Sequence, residues 1–339
     1  MSSTVNQWTL KNFELQCGVT LPEATLTYAT YGELAGDRHN VILYPTSYGA
    51  QHPDIDWLIH PDGILDPSRW FIVIPNMFGN GLSSSPSTDP ACGLREDGFW
   101  FTHWDNVRAQ ESLLKEVFGI DHLALIYGWS MGAQQAYHWG ALYPDRVARI
   151  VALCGTARTT DHNRIFLESL RSALTADPAW NGRRFEATPD RGFRAFAQIY
   201  ASWAASQAFY RQQVYSDLGY TSLDDYLSRA WEASYRKRDP HNLLAMIETW
   251  LRCDVGNNPV YQGNYGRAIA SIQATTLVMP ATTDLYFTPA DCKAEAQRIP
   301  HATYLPIPSI WGHRAGNPSQ NPADATFIRE AVQRLLMPQ

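Results

Sequence analysis

The sharpest chemical signal in this 339-residue chain is Gly128-Trp129-Ser130-Met131-Gly132, a serine set between small residues. A hydroxyl becomes a useful nucleophile only when one group takes its proton and others stabilise the charge that develops. The GxSxG pentapeptide is weak by itself, so its surroundings decide. An apolar run over 123–127 (LALIY) leads directly into it, and a helical pattern over Met131–Leu142 leads directly out. That is the setting of a nucleophile elbow, a strained strand-to-helix turn that lifts the hydroxyl clear of the backbone. The following helix aims its free N–H groups at the reacting centre. The plainer alternative is a tight turn with a buried serine.

A nucleophilic serine needs a base, and the base needs an orienting carboxylate. With an elbow of this kind the chain order is serine, then acid, then histidine. Asp284, in the ATTD stretch, follows a strand-like run ending at Pro280, and only His301 and His313 come after it. His301 immediately precedes a strand, at the wrong end of a parallel sheet. His313, in Trp311-Gly312-His313, follows that strand and precedes the last helix, so elimination leaves it as the base. Asp254 and Asp291 are rival carboxylates, the first within a helical stretch and the second at a helix start. Two backbone N–H groups complete the set: that of Met131, and one from the loop Pro45-Thr46-Ser47-Tyr48-Gly49. Ser47 is preferred there, with Thr46 and Tyr48 as alternatives.

These residues need a frame. Strand-like runs fall at 24–31, 41–44, 71–74, 123–127, 150–154, from 274, and at 303–307. Helical patterns fall at His103–Phe118, Met131–Leu142, 290–298 and Pro322–Leu336. Short apolar strands alternating with helices argue for an α/β fold with a mostly parallel sheet flanked by helices. Residues 156–265 break the alternation, being rich in Arg, Trp, Tyr and Ala with almost no strand pattern. They read as a helical lid inserted into one core made of 1–155 and 266–339.

Composition narrows the partners. With 27 basic and 33 acidic residues the net charge is −6, which lacks the basic footprint that nucleic acid requires. No apolar stretch is long enough for a membrane span, and the first residues show no secretory pattern. Five scattered cysteines, never in CxxC spacing, read as reduced thiols of a cytoplasmic protein. Twelve tryptophans stand out. Trp129 and Trp311 flank the nucleophile and the base, while Trp180, Trp203, Trp231 and Trp250 fall in the insertion. Their placement predicts an apolar chamber above Ser130, with Tyr48, Trp129, Trp311 and Arg314 in its wall.

With Ser130, Asp284 and His313 in this order, the chain resembles an α/β-hydrolase, and more narrowly the homoserine O-acetyltransferase branch. The pieces that carry the resemblance are TLTYATYGEL, LYPTSYG, FIVIPNMFGNGLSSSPS, GWSMGAQQAYHWGALYPDRV, RDPHNLLAMIETW and the final WGH. The resemblance implies acyl-enzyme transfer without a metal, a helical lid, and a homodimer formed through that lid. Two departures matter. The family's Gly-Gly-Cys loop reads Phe78-Gly79-Asn80-Gly81-Leu82-Ser83 here, and the Asp that commonly follows the catalytic His is Arg314. A guanidinium beside the base repels a cationic amino acid, which disfavours homoserine as acceptor.

The reading is therefore hydrolysis of small uncharged acetyl-type esters, with no cofactor. The alternative is acyl transfer from acetyl-CoA to an alcohol, for which Arg183, Arg184, Arg191 and Arg194 could contact phosphates, although a solvated basic face explains them as well. A non-catalytic binding module is the remaining alternative from another class, and such proteins usually lose a triad member.

Overall fold

The computed structural model describes residues 3–93 and 99–337. Eight strands form one sheet: β1 (Thr4–Glu14), β2 (Thr20–Tyr31), β3 (Val41–Leu43), β4 (Phe71–Pro75), β5 (Leu125–Trp129), β6 (Arg149–Leu153), β7 (Thr275–Met279) and β8 (Ala302–Tyr304). Their order is β1-β2-β4-β3-β5-β6-β7-β8. The β1–β2 and β2–β4 pairs are antiparallel and all other pairs are parallel.

The inner strands are short and apolar because both of their faces are covered. Val41, Leu43, Val73, Ile126, Ile150 and Ala152 point into a core shared with the helices His103–Phe118 and Met131–Leu142. Their alternates Ile42, Ile72, Ile74, Leu125, Tyr127, Val151 and Leu153 point into a second core with Ile328 and Val332 of the helix Pro322–Leu336. This two-residue alternation between two buried faces is the signature of a parallel sheet sandwiched by helices.

Strand boundaries differ from the sequence reading in instructive ways. The run at 123–127 pairs as Leu125–Trp129, so the strand reaches the residue before Ser130. The strand expected at 303–307 ends at Tyr304, because Pro306 has no N–H to give the ladder. One further bridge, Ala281 to Ile307, nevertheless carries the pairing toward the site. β1 carried no sequence signal: its surface is mostly exposed, so its apolar residues do not alternate cleanly.

Residues 161–251 hold the helices Asp161–Thr175, Asp190–Ala204 and Pro240–Leu251 with shorter turns between them. Their apolar faces are closed by Phe166, Phe196, Tyr200 and Trp250, which share a cluster with Tyr48, Met131, Tyr286 and Phe287 of the sheet's edge loops. The buried carboxyl of Glu295 ties the segments that lead into and out of these helices to the helix Pro289–Ala296. It accepts from Ala157 N (2.8 Å) and Tyr265 Oη (2.7 Å). Burial pushes its pKa from an ordinary 4.5 to about 7, against the pull of those two donors. A carboxyl raised on folding stabilises below its unfolded pKa, and that contribution is lost as pH rises through the folded value. Wild type is therefore expected to lose about 3 kcal/mol of stability relative to Glu295→Gln, from urea denaturation, as pH rises from about 4.5 to about 7. A difference that is flat with pH would contradict this.

Candidate active site

All the candidate groups sit at the carboxyl ends of parallel strands, where side chains from sequence-distant loops converge. Ser130 follows the central β5, the loop 45–49 follows its neighbour β3, Asp284 follows β7, and His313 follows β8.

Ser130 has φ 58° and ψ −124°, a strained conformation for a residue with a side chain, and its N–H is held by Leu153 O at 2.9 Å. The turn is tight enough that a Cβ on Gly128 would sit 2.3 Å from Gly132 O, and one on Gly132 would sit 2.7 Å from Pro45 O. Glycine at both positions is thus a packing requirement of the elbow.

His313 Nδ1 lies 2.8 Å from Asp284 Oδ2, and both side chains are almost wholly buried. The other carboxylate oxygen, Oδ1, accepts from the backbone N–H groups of Tyr286 (2.9 Å) and Phe287 (3.2 Å). The acid loop is stitched to the base loop by Thr283 Oγ1, which donates to Ser309 O (2.7 Å) and accepts from Gly312 N (3.1 Å). The imidazole is walled by the rings of Tyr286 (4.4 Å), Trp129 (5.2 Å) and Phe287 (5.6 Å). Trp129 also donates from Nε1 to His313 O at 3.3 Å, which couples the candidate base to the residue preceding Ser130. Among the described residues no hydrogen bond joins Ser130 Oγ to the imidazole. Catalytic hydrogen bonds are often long before substrate arrives and tighten in its complex.

The rival residues lie elsewhere. Asp254 bridges back to Arg158 and caps Gly256 N at 2.7 Å, and Asp291 bonds Thr288 Oγ1 at 2.6 Å at a helix start. His301 is exposed before β8, at the opposite end of the sheet. Cys154 places its Sγ within 4.8 Å of ligand atoms of Asp284 and His313, a grouping that could in principle hold a metal. Burial and then the Asp284 carboxylate push that thiol's pKa well up, and the Asp284 and His313 atoms of the grouping already bond each other at 2.8 Å.

In the loop after β3, Thr46 N–H already donates to Pro75 O (3.3 Å), whereas those of Ser47 and Tyr48 have no protein acceptor among the described residues. Ser47 Oγ donates to Trp129 O, strapping this loop to the elbow. Met131 N–H is the first of the helix Met131–Leu142 and has no partner within that helix.

A cavity of about 300 Å³ adjoins the elbow, lined by Tyr48, Trp129, Tyr226, Trp231, Arg238 and Arg314 among others. Three of the four expected pocket residues are there. Trp311 is not: it packs edge-on against Phe209 at 5.4 Å, with the Arg314 guanidinium 5.1 Å from its ring. Besides the expected Arg314, a second guanidinium, that of Arg238, reaches the wall, which makes the chamber less apolar than its tryptophans suggest. Arg238 pairs with Asp54 and with Gly49 O (2.7 Å). Arg314 bonds only Tyr226 Oη and Gln320 Oε1, both at 2.8 Å, and has no carboxylate partner among the described residues. Tyr286 and Phe287 were missed from sequence as well. Their spacing after Asp284, an aspartate whose side chain caps the backbone two residues on, was the available signal.

The strained serine at the end of β5 and the buried histidine–carboxylate pair beside it define the class. The chain belongs to the α/β-hydrolase fold family, whose family model matches residues 61–309. Among individual proteins it is 37% identical over 303 residues to an ethyl acetate hydrolase of Pseudomonas veronii, covering 88% of this chain and 86% of that one. It is 29% identical over 329 residues to a homoserine O-acetyltransferase of Thermobifida fusca, covering 88% and 86%. The solved structure of the acetyl esterase MekB superposes with a TM-score of 0.93 at 34% identity, covering 98% of this chain and 96% of that one.

Proposed function

We propose that this protein is a serine esterase that hydrolyses small uncharged acetyl esters through an acetyl-enzyme on Ser130. The observation that carries the reading is the buried Asp284–His313 pair stacked against the residue that precedes the strained serine. In this scheme His313 takes the Ser130 hydroxyl proton as Oγ attacks the ester carbonyl. Asp284 holds the imidazole in the tautomer whose Nε2 is free to accept. The N–H groups of Met131 and Ser47 stabilise the tetrahedral oxyanion. His313 then protonates the leaving alcohol, and water repeats the sequence in reverse to release acetate.

Water is the favoured second nucleophile because Arg314, with no carboxylate partner among the described residues, disfavours a cationic acceptor such as an amino acid. Identity to the ethyl acetate hydrolase exceeds that to the homoserine O-acetyltransferase, which points the same way. Of the arginines considered for coenzyme A, Arg194 already faces Glu232 at 3.6 Å, which lessens its support for acyl transfer. The stretch 156–265 is read as the lid over this site, because its aromatic face packs on Tyr48 and Tyr286. A homodimer through that lid belongs to the same reading; Ile165, 66% exposed, lies on its first helix. Five free thiols favour a reducing, cytoplasmic location. No helix among the described residues is long and apolar enough to cross a membrane.

The test offers ethyl acetate and p-nitrophenyl acetate in water and, separately, acetyl-CoA with homoserine. Ester turnover without added alcohol, and no acetyl-CoA-dependent thiol release, is expected. Thiol release that requires an alcohol, with inert esters, would replace this reading with acyl transfer.

A further inference from the structure

Beneath the loop after β3 and the start of the helix Met131–Leu142 runs a chain of three fully buried side chains that the reaction scheme does not use. Trp139 Nε1 donates to Gln110 Oε1 at 2.8 Å, and Gln110 Nε2 donates to Gln135 Oε1 at 2.7 Å. Gln135 Nε2 then donates to Thr46 O (2.9 Å) and to Met131 O (3.2 Å). Each orientation dictates the next. An indole N–H can only donate, so it fixes the Gln110 carbonyl oxygen toward itself. The Gln110 amide nitrogen must then face an acceptor, which fixes the Gln135 oxygen. The Gln135 amide nitrogen is left aimed at the two backbone carbonyls. No water competes, because Gln110, Gln135 and Trp139 each have no exposed surface.

The two carbonyls are informative. Thr46 O belongs to the same planar trans peptide as Ser47 N–H, so holding the oxygen on one side turns the N–H to the other. Met131 O belongs to the residue whose own N–H is the other oxyanion donor. One side-chain amide therefore bridges the two backbone segments from which the hole is built. Ser47 Oγ straps the same loop to the elbow through Trp129 O.

We propose that Gln135, oriented by Gln110 and Trp139, is a positioning residue that sets the aim and separation of the two oxyanion donors. It touches no substrate and acts only through the loop it holds. The proposal rests on the acetyl-enzyme reading of Ser130, and its test separates the two.

Gln135→Met keeps nearly the same volume and removes the bridging donor. It is expected to lower kcat for acetyl-ester hydrolysis about 10- to 100-fold, less than or equal to the loss of a whole oxyanion donor, with KM within about twofold. Binding of a trifluoromethyl ketone, which forms a tetrahedral oxyanion on the serine, weakens by the same factor as kcat/KM. A merely structural glutamine would instead lower the amount of folded protein and leave both quantities unchanged per folded molecule. Gln110→Met leaves the loop contact in place but frees the Gln135 amide to turn over, and a smaller loss of the same pattern is expected. If both variants keep wild-type kcat and ketone affinity per folded molecule, while Ser130→Ala is inactive, the positioning role is refuted and the acetyl-enzyme reading stands. If Ser130→Ala still hydrolyses ester, the underlying reading fails and this role fails with it.

Discussion

Replacing Ser130 with alanine is expected to lower kcat for acetyl-ester hydrolysis by about 10⁴-fold or more, and to abolish labelling by a fluorophosphonate probe. The expectation follows from geometry alone. Ser130 is the residue held in the strained turn at the end of β5, between Gly128 and Gly132, which are packed too closely to carry a side chain. Alanine fits the same turn without new contacts, so the fold is expected to survive and thermal unfolding to change little. Turnover persisting near the wild-type rate in folded Ser130→Ala would show that the hydroxyl is not the nucleophile.

The second large effect is expected from Asp284→Asn, for a reason the hydrogen bonds make specific. Tyr286 N–H and Phe287 N–H both donate to Oδ1 of Asp284, so an asparagine must place its carbonyl oxygen there. Its NH₂ then faces His313 Nδ1, which sits 2.8 Å from the other carboxylate oxygen. Nδ1 is forced to accept, the ring proton moves to Nε2, and the base can no longer take the serine proton. A wrong tautomer in a Ser-His-Asp arrangement costs about 10⁴-fold in kcat. The same defect predicts partial recovery at high pH, where hydroxide takes the serine proton in place of the imidazole. Loss of activity with no tautomeric change in the imidazole nitrogen NMR signals would assign Asp284 a different role. Asp284→Ala removes the constraint rather than inverting it and is expected to be no worse.

What could be read from the sequence follows from how local each feature is. The elbow is legible because strand, small residues and helix are contiguous in Gly128-Trp129-Ser130-Met131-Gly132. His313 and Asp284 are legible by order, since each follows an apolar strand and His301 falls on the wrong side of one. Strand β1 is not legible, because an exposed antiparallel edge needs no apolar alternation. The proposed oxyanion loop shows only its position, since its candidate donors are main-chain groups and the side chain that holds Thr46 O, Gln135, lies 89 residues away. The cavity wall is illegible for the same reason: Tyr48, Trp231 and Arg314 come from three distant stretches, and Trp311 turns away from the cavity onto Phe209 although it lies two residues from His313. Proximity in sequence to a catalytic residue says little about which way a ring points once Gly312 takes up a left-handed turn between them.

The central claim is that hydrolysis passes through an ester of Ser130. The most direct measurement is acid quenching of the enzyme during turnover of p-nitrophenyl acetate within milliseconds, followed by mass spectrometry of the peptide that carries Ser130. An acetyl group on Ser130 is expected, formed with a burst of p-nitrophenol and lost at the steady-state rate. Turnover with Ser130 unmodified, or with the acetyl group on another residue at a competent rate, would contradict it.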